Sequence, residues 1–342
     1  MLKSSARRYL IVMSFSLAAV GWMVYVSLTS GVYEMRVMDV IRTLLRVQPH
    51  TDYDLIIWEF RLPRILIAIL VGMGLAVAGA VVQSITRNDL ADPGILGINA
   101  GASASMVIFL FFYQGSIHGS GLMSVMAMPL FGLIGGLLSA VLIYIFSWKN
   151  GRMDAQRLIL TGIAVASGLG AITLFFTMKM NPGDFEMAAV WNSGSVYNAN
   201  WKYIASIVPW LAVLLPLIVR KAYLLDLFRL REESQIGLGI SVQKERALLL
   251  LYSIGIVSAC VSVSGGIGFI GLMAPHIAKQ LVSGGHRRFI PLCAVIGALL
   301  VLTADYIGKT WFEPVELPAG MMIAIIGVPY FVLLLYRKNG RY

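Results

Sequence analysis

The stretch Ile267-Gly268-Phe269-Ile270-Gly271-Leu272-Met273-Ala274-Pro275-His276-Ile277-Ala278-Lys279-Gln280-Leu281-Val282-Ser283 decides the architecture. It is apolar enough to enter a membrane, but Gly268, Gly271, Pro275 and His276 make it either a broken span or a surface segment. Nine other stretches read as spans directly: approximately 9–30, 62–84, 97–114, 122–147, 158–178, 203–219, 247–264, 289–305 and 318–336. A helix rising about 1.5 Å per residue needs roughly 20 apolar residues to cross a hydrocarbon core about 30 Å thick. If 267–283 also crosses, one face carries the N-terminus, the loops near 87, 149–157, 220–246 and 279–288, and the C-terminus. That face then holds 19 of the 27 Lys and Arg, leaving 8 opposite; otherwise the split is 14 against 13. Basic residues gather in cytoplasmic loops. The sequence therefore predicts an all-α polytopic membrane protein of ten transmembrane helices with both termini cytoplasmic, forming one domain over 1–342.

Composition agrees. Of 342 residues, 58% are hydrophobic and 13% charged, against about 45–50% and 25% in soluble proteins. A mean hydropathy of +0.80 excludes a free cytoplasmic enzyme, a secreted module and a disordered tail. The net charge of +10 reads as orientation and not as a nucleic-acid surface, because the excess sits in loops on one side. Cys260 and Cys293 lie within apolar runs and read as small buried hydrophobes. Lys3, Arg7 and Arg8 precede the first apolar run as they would in a signal peptide, but the run exceeds a signal-peptide core and reads as a span.

The spans are almost free of charge. Asp305 falls at a helix end and His276 near the cytoplasmic end of its segment, whereas Gln83 and Asn99 lie deeper. Gln83 reads as a pathway contact or as an interhelical hydrogen bond. Gly308-Lys309-Thr310 imitates a phosphate loop, yet Thr303 stands where its first glycine is required. HExxH, paired cysteines and a plausibly spaced Ser-His-Asp pattern are absent from the sequence, so no catalytic residue and no metal site are expected. Transport driven by a partner, or passive transport, remains. On the second helix Gly72, Ala76 and Ala80, with Gly74 and Ala78, recur at spacing four, the pattern of a central helix packed closely on others.

Arg61-Leu62-Pro63-Arg64, Gly72-Met73-Gly74-Leu75-Ala76, Gln83 and the run from Arg87-Asn88-Asp89-Leu90-Ala91-Asp92-Pro93 to Asn99-Ala100-Gly101 form an ordered series. It continues through Trp191, Gly194-Ser195, Trp201, Gly237-Leu238-Gly239, Gly268-Phe269-Ile270-Gly271-Leu272, Pro275-His276, His286-Arg287, Asp305, Glu316-Leu317-Pro318 and Gly327-Val328-Pro329. Over about residues 60 to 336 the chain resembles the iron–siderophore and cobalamin permease family of binding-protein-dependent ABC importers. The resemblance implies a type II importer permease fold, a second permease subunit, two ATP-binding subunits that carry ATP and Mg, and an extracytoplasmic siderophore-binding lipoprotein. This chain itself would bind no cofactor. It would sit in the cytoplasmic (inner) membrane and pass a ferric siderophore, with cobalamin or haem as alternative cargoes and an ion-coupled secondary transporter as the alternative class.

Residue roles follow from the same resemblance. The interval 222–246 alternates apolar Leu224, Leu225, Leu227, Phe228 and Leu230 with charged residues before Gly237 and Gly239, which reads as two short helices at the membrane surface. In the family this region docks on the ATPase, making Arg231, Glu232, Glu233, Gly237 and Gly239 coupling candidates, with a solvated interfacial helix as the alternative. Arg61 and Arg64 stand on the side where positive charge is sparse and call for carboxylate partners. In the family, arginines here receive acids of the binding protein, and Lys309 stands where another Arg is usual; local pairing with Glu59 or nearby acids is the alternative. Asp89 replaces a usual Pro. The segment 181–201 is too polar to span and is expected at the outer rim, and Gln83, Asn99, Trp191 and Ser195 are the translocation-path candidates.

Overall fold

The computed structural model describes residues 2–31, 35–47, 51–113, 122–149, 152–153 and 155–339. In chain order the helices are α1 (Leu2–Thr29), α2 (Val37–Leu44), α3 (Thr51–Asp54), α4 (Leu62–Thr86), α5 (Asn99–Tyr113), α6 (Leu122–Phe146), α7 (Ala155–Thr177), α8 (Pro182–Asn192), α9 (Trp201–Arg220), α10 (Ala222–Leu227), α11 (Glu232–Gly237), α12 (Val242–Ser264), α13 (Ile270–Leu281), α14 (His286–Thr310) and α15 (Ala319–Asn339). A π-helical turn, Leu55–Arg61, leads into α4, and another, Gly94–Ile98, into α5. Two-residue strands Trp148–Lys149 and Arg152–Met153 pair antiparallel between α6 and α7.

Each of the ten predicted stretches carries a helix. Seven helices among the described residues are long and apolar enough to cross a membrane by themselves; Asn99–Tyr113 and Ala319–Leu333 are shorter. The deciding stretch is neither a continuous span nor a surface segment. Its helix begins only at Ile270, after a non-helical 265–269, and Ile270, Gly271, Leu272, Met273, Ala274, Pro275 and Ala278 are buried.

The expectation of a central second helix is met. α4 packs along α14, α12, α13 and α9, and 78% of its most apolar window is inside the protein, against 6% for α1 and 11% for α7. Close approach explains the small residues. A Cβ on Gly72 would come within 2.7 Å of the Gly297 carbonyl carbon in α14, and one on Gly79 within 2.6 Å of that of Gly271 in α13. In lipid such backbone contact is what helix association relies on. Cys260, against Gly74, and Cys293 are buried free thiols, as expected of small hydrophobes.

α4 and α14 run antiparallel, because Arg64 meets Asp305 at one end of the pair and Ser84 meets His286 at the other. The second end also gathers Arg87, α10, Lys279 and, through Arg8 bonded to the Gln280 carbonyl, the start of the chain. This is the end that charge counting assigned to the cytoplasm. A smaller hydrophobic cluster, around Met106, Phe109 and Leu110, joins α5, α6 and α8.

Candidate functional site

At the centre of the bundle two interrupted helices face each other. α12 ends at Ser264, and Gly265 turns the chain at φ +67° with the Trp191 carbonyl so close that no side chain fits. Phe269, at φ +65°, is a non-glycine residue in the left-handed region and opens α13. Such a conformation persists only where the surroundings hold it. Here the Asp92 carboxylate, in the connection between α4 and α5, accepts from the backbone amides of Gly94 (2.8 Å) and Phe269 and so ties both interruptions together. Burial pushes the Asp92 carboxyl up from its ordinary range, against the two amides that lower it.

All four path candidates reach this break. Gln83 Nε2 donates to the Gly271 carbonyl at 3.0 Å, the interhelical bond that was one of its two readings. The Asn99 side chain lies against Gly94 and Gly266. The Ser195 amide donates to the Ser264 carbonyl at 2.7 Å, and the Trp191 ring packs on Gly132 of α6. Behind them a cavity of about 330 Å³ is lined by Met128, Glu186, Trp191, Ser195, Tyr197 and Tyr203, among others. The segment 181–201 is thus α8, capped by Asn181 through the Asp184 amide, followed by a turn packed onto the break. Trp201 packs instead: it stacks on Trp58 at 6.2 Å and donates to its carbonyl.

At the end away from the basic loops, Arg64 makes a fork with Asp305 (Nε and Nη2, both 2.9 Å) and a further bond to Glu316 (2.8 Å), with the Tyr197 ring 5.5 Å from its guanidinium carbon. Arg61 is buried and donates to the Leu28 carbonyl. Arg61, Arg64, Asp305 and Lys309 share the wall of one small cavity. The three predicted docking residues therefore do assemble, but Arg64 already holds two carboxylates of its own chain, neither of them Glu59. Lys309 lies in the last turn of α14, not in a phosphate loop.

The basic end carries the predicted pair of short helices. Leu224, Leu225 and Phe228 are buried, as the apolar alternation requires, whereas α11 buries Gln235 and leaves most of its other side chains exposed. Arg231, Glu233, Gly237 and Gly239 are exposed there, Gly239 turning at φ +77°; the Glu232 side chain lies outside the described residues. Ile236 and Leu238 stand 59% and 61% exposed at the tip. Sequence reasoning missed what fastens this unit. Arg87 donates to the carbonyls of Phe228 (2.8 Å) and Leu230, and Lys221 pairs with Glu245; separately, Asp89, the residue in place of a usual Pro, ties the loop after α4 to Lys279 of α13. Asp226 meets His286 and, through it, Ser84.

A bundle of apolar helices long enough to cross a membrane, with a break at its centre and a basic end bearing the exposed α11, is the build of a membrane permease. The chain belongs to the FecCD transport family, which it matches over residues 17–337. It is 49% identical over 315 residues to the iron-uptake system permease protein FeuC of Bacillus subtilis, covering 92% of this chain and 94% of the relative. It is 41% identical over 338 residues to the iron(3+)-hydroxamate import system permease protein FhuG of the same organism, covering 99% and 100%. Its fold superposes with a TM-score of 0.82, at 26% identity and covering 96% and 99%, on a metal-chelate type ABC transporter in an inward-facing conformation. It is an ABC importer permease subunit.

Proposed function

We propose that this chain carries a ferric siderophore across the cytoplasmic membrane as one of two permease subunits, identical or related. Two ATP-binding subunits would hydrolyse ATP beneath it, and a siderophore-binding lipoprotein would deliver cargo above. In this reading ten segments cross and both termini are cytoplasmic, with α13 and the extended 265–269 together making the broken span. The observation that carries it is the convergence of Gln83, Asn99, Trp191 and Ser195 on that break, because interrupted helices at the centre of a transporter leave backbone polar groups facing a path. At the basic end, Ile236 and Leu238 beside Gly237 and Gly239 give α11 an apolar tip suited to a groove in the ATPase. At the other end Arg61, Arg64 and Lys309 outnumber Asp305 and Glu316 by one charge, which favours an acidic docking partner.

The test is reconstitution with an ATP-binding subunit and a binding protein of the same organism. A ferric trihydroxamate and a ferric catecholate are offered as probes; ATP-dependent import of either, with hydrolysis rising on addition of the loaded binding protein, is the expected result. Import that survives loss of the ATPase but not collapse of the ion gradient would identify a secondary transporter instead. Charge reversal of Glu232 and Glu233 together is expected to reduce import about tenfold at unchanged expression, a loss in the range of ordinary coupling energies; unchanged import removes both from the coupling site. The hemin transport system permease protein HmuU of Yersinia pestis, 35% identical over 289 residues, motivates haem as a competing probe. Cobalamin is tested in the same competition.

A further inference from the structure

His286 opens α14 and its side chain is only 1% exposed. Its Nε2 lies 2.8 Å from Ser84 Oγ, in the last turns of α4, and its Nδ1 lies 2.6 Å from Asp226 Oδ1, in α10. The Asp226 carboxylate can only accept, so Nδ1 donates to it. The Ser84 hydroxyl stands between Nε2 and the Ala80 carbonyl, 2.7 Å away in its own helix. Burial pushes the imidazole down from its ordinary pKa, against Asp226, which raises it. Hydrolytic triads use the same residue types; here the three side chains tie three helices together, and the arrangement is a fastening.

Other contacts show that the fastening is built. Both Asp226 oxygens accept from the His286 backbone amide, at 3.1 and 3.0 Å, so Asp226 caps α14, whose unpaired amides and positive dipole end favour a carboxylate. Gly285 admits it: a Cβ there would meet Asp226 Oδ2 at 2.8 Å. Arg87, just past α4, holds the far end of α10 through the Phe228 and Leu230 carbonyls. Arg229 and Lys279 are the other charges acting on the ring. The loop 222–240 is thus divided into a bolted half, α10, and an exposed half, α11. The helices to which α10 is bolted, α4 and α14, touch backbone to backbone at Gly72 and Gly297 and are joined again at their opposite ends by Arg64 and Asp305.

We propose that His286 is a positioning residue for transport. With Asp226 and Ser84 it makes α10, α4 and α14 move as one body, so that displacement of α11 by a partner is delivered to the outer cluster at Arg64 and Asp305. This rests on the reading of α11, with Gly237 and Gly239 at its end, as the ATPase contact given above.

The experiment uses the reconstituted complex of permease, ATPase and binding protein, with whichever ferric chelate the unaltered complex imports, and measures chelate imported per ATP hydrolysed. His286→Ala and Asp226→Asn are expected to assemble with the ATPase and keep basal hydrolysis while import per ATP falls about tenfold, within the range of a coupling energy carried by one element. The double variant Asp226→Cys/His286→Cys is expected to be equally poor when reduced and to recover import when oxidised, since a covalent link replaces the fastening. Import per ATP equal to that of the unaltered complex in both single variants overturns the proposal. So does loss of assembly that the oxidised pair does not repair, which would leave His286 with a folding role only. An unaltered complex that imports no chelate would instead fail the transport reading itself.

Discussion

Arg64 carries five donor hydrogens on a planar fork, and the structure uses the fork fully, two nitrogens on Asp305 and a third on Glu316. Asp305 is itself buried, so removing the guanidinium leaves a carboxylate in low dielectric without its cation. Breaking such a pair costs about 3 kcal/mol or more. Arg64→Ala is therefore expected to lower the thermal stability of the purified subunit clearly, and Arg64→Ala/Asp305→Ala to restore part of the loss. Equal melting temperatures for Arg64→Ala and the unaltered subunit would show that the fork does not hold these helices. Arg61 and Arg64 were legible from the sequence because they break the orientation rule. Their partners were not: Asp305 and Glu316 lie 241 and 252 positions away from Arg64, and only the antiparallel packing of α4 on α14 brings them close. The same holds for Asp226 and His286, which read in sequence as one more polar residue of an amphipathic loop and one half of a His-Arg motif.

Broken elements follow a different logic. A helix of 12 residues rises about 18 Å, too little for a core of about 30 Å, so a crossing by α13 requires the extended 265–269 as well. Charge distribution predicts the crossing, and the glycines flagged the interruption, but the position of the break depends on Asp92 and Trp191, which no local pattern connects to it. The glycines of this stretch are not equivalent. At Gly265 the backbone is left-handed and the Trp191 carbonyl occupies the space a Cβ needs, whereas nothing lies within 4 Å of the corresponding point on Gly268. Gly265→Val is expected to abolish stable expression or import, and Gly268→Ala to leave both within about twofold, as is usual for a change that meets no neighbour. Monodisperse yield and import of the two variants, compared side by side, check this; similar behaviour would mean that the turn at Gly265 is not what sets the break.

For the whole molecule, the class was readable because lipid imposes composition rules on the entire chain, and charge counting predicts its orientation, while the joints between elements depend on side chains far apart in sequence. Orientation can be tested at two points that the rival topologies exchange. Val315 is 67% exposed beside Arg64 and Glu316, and Arg287 is exposed beside His286, at opposite ends of α14. With the broken segment crossing, 315 faces outward and 287 faces the cytoplasm. Were that segment to stay on one side, the two would trade places, because every span after it would reverse. Single cysteines at these positions, with Cys260 and Cys293 replaced by Ala, are expected to react with a membrane-impermeant maleimide on intact cells at 315 and only after permeabilisation at 287. The reverse pattern would remove the tenth crossing. The outer position of the Arg61, Arg64 and Lys309 cluster would go with it, because the direction of α14 fixes on which side that cluster meets a partner.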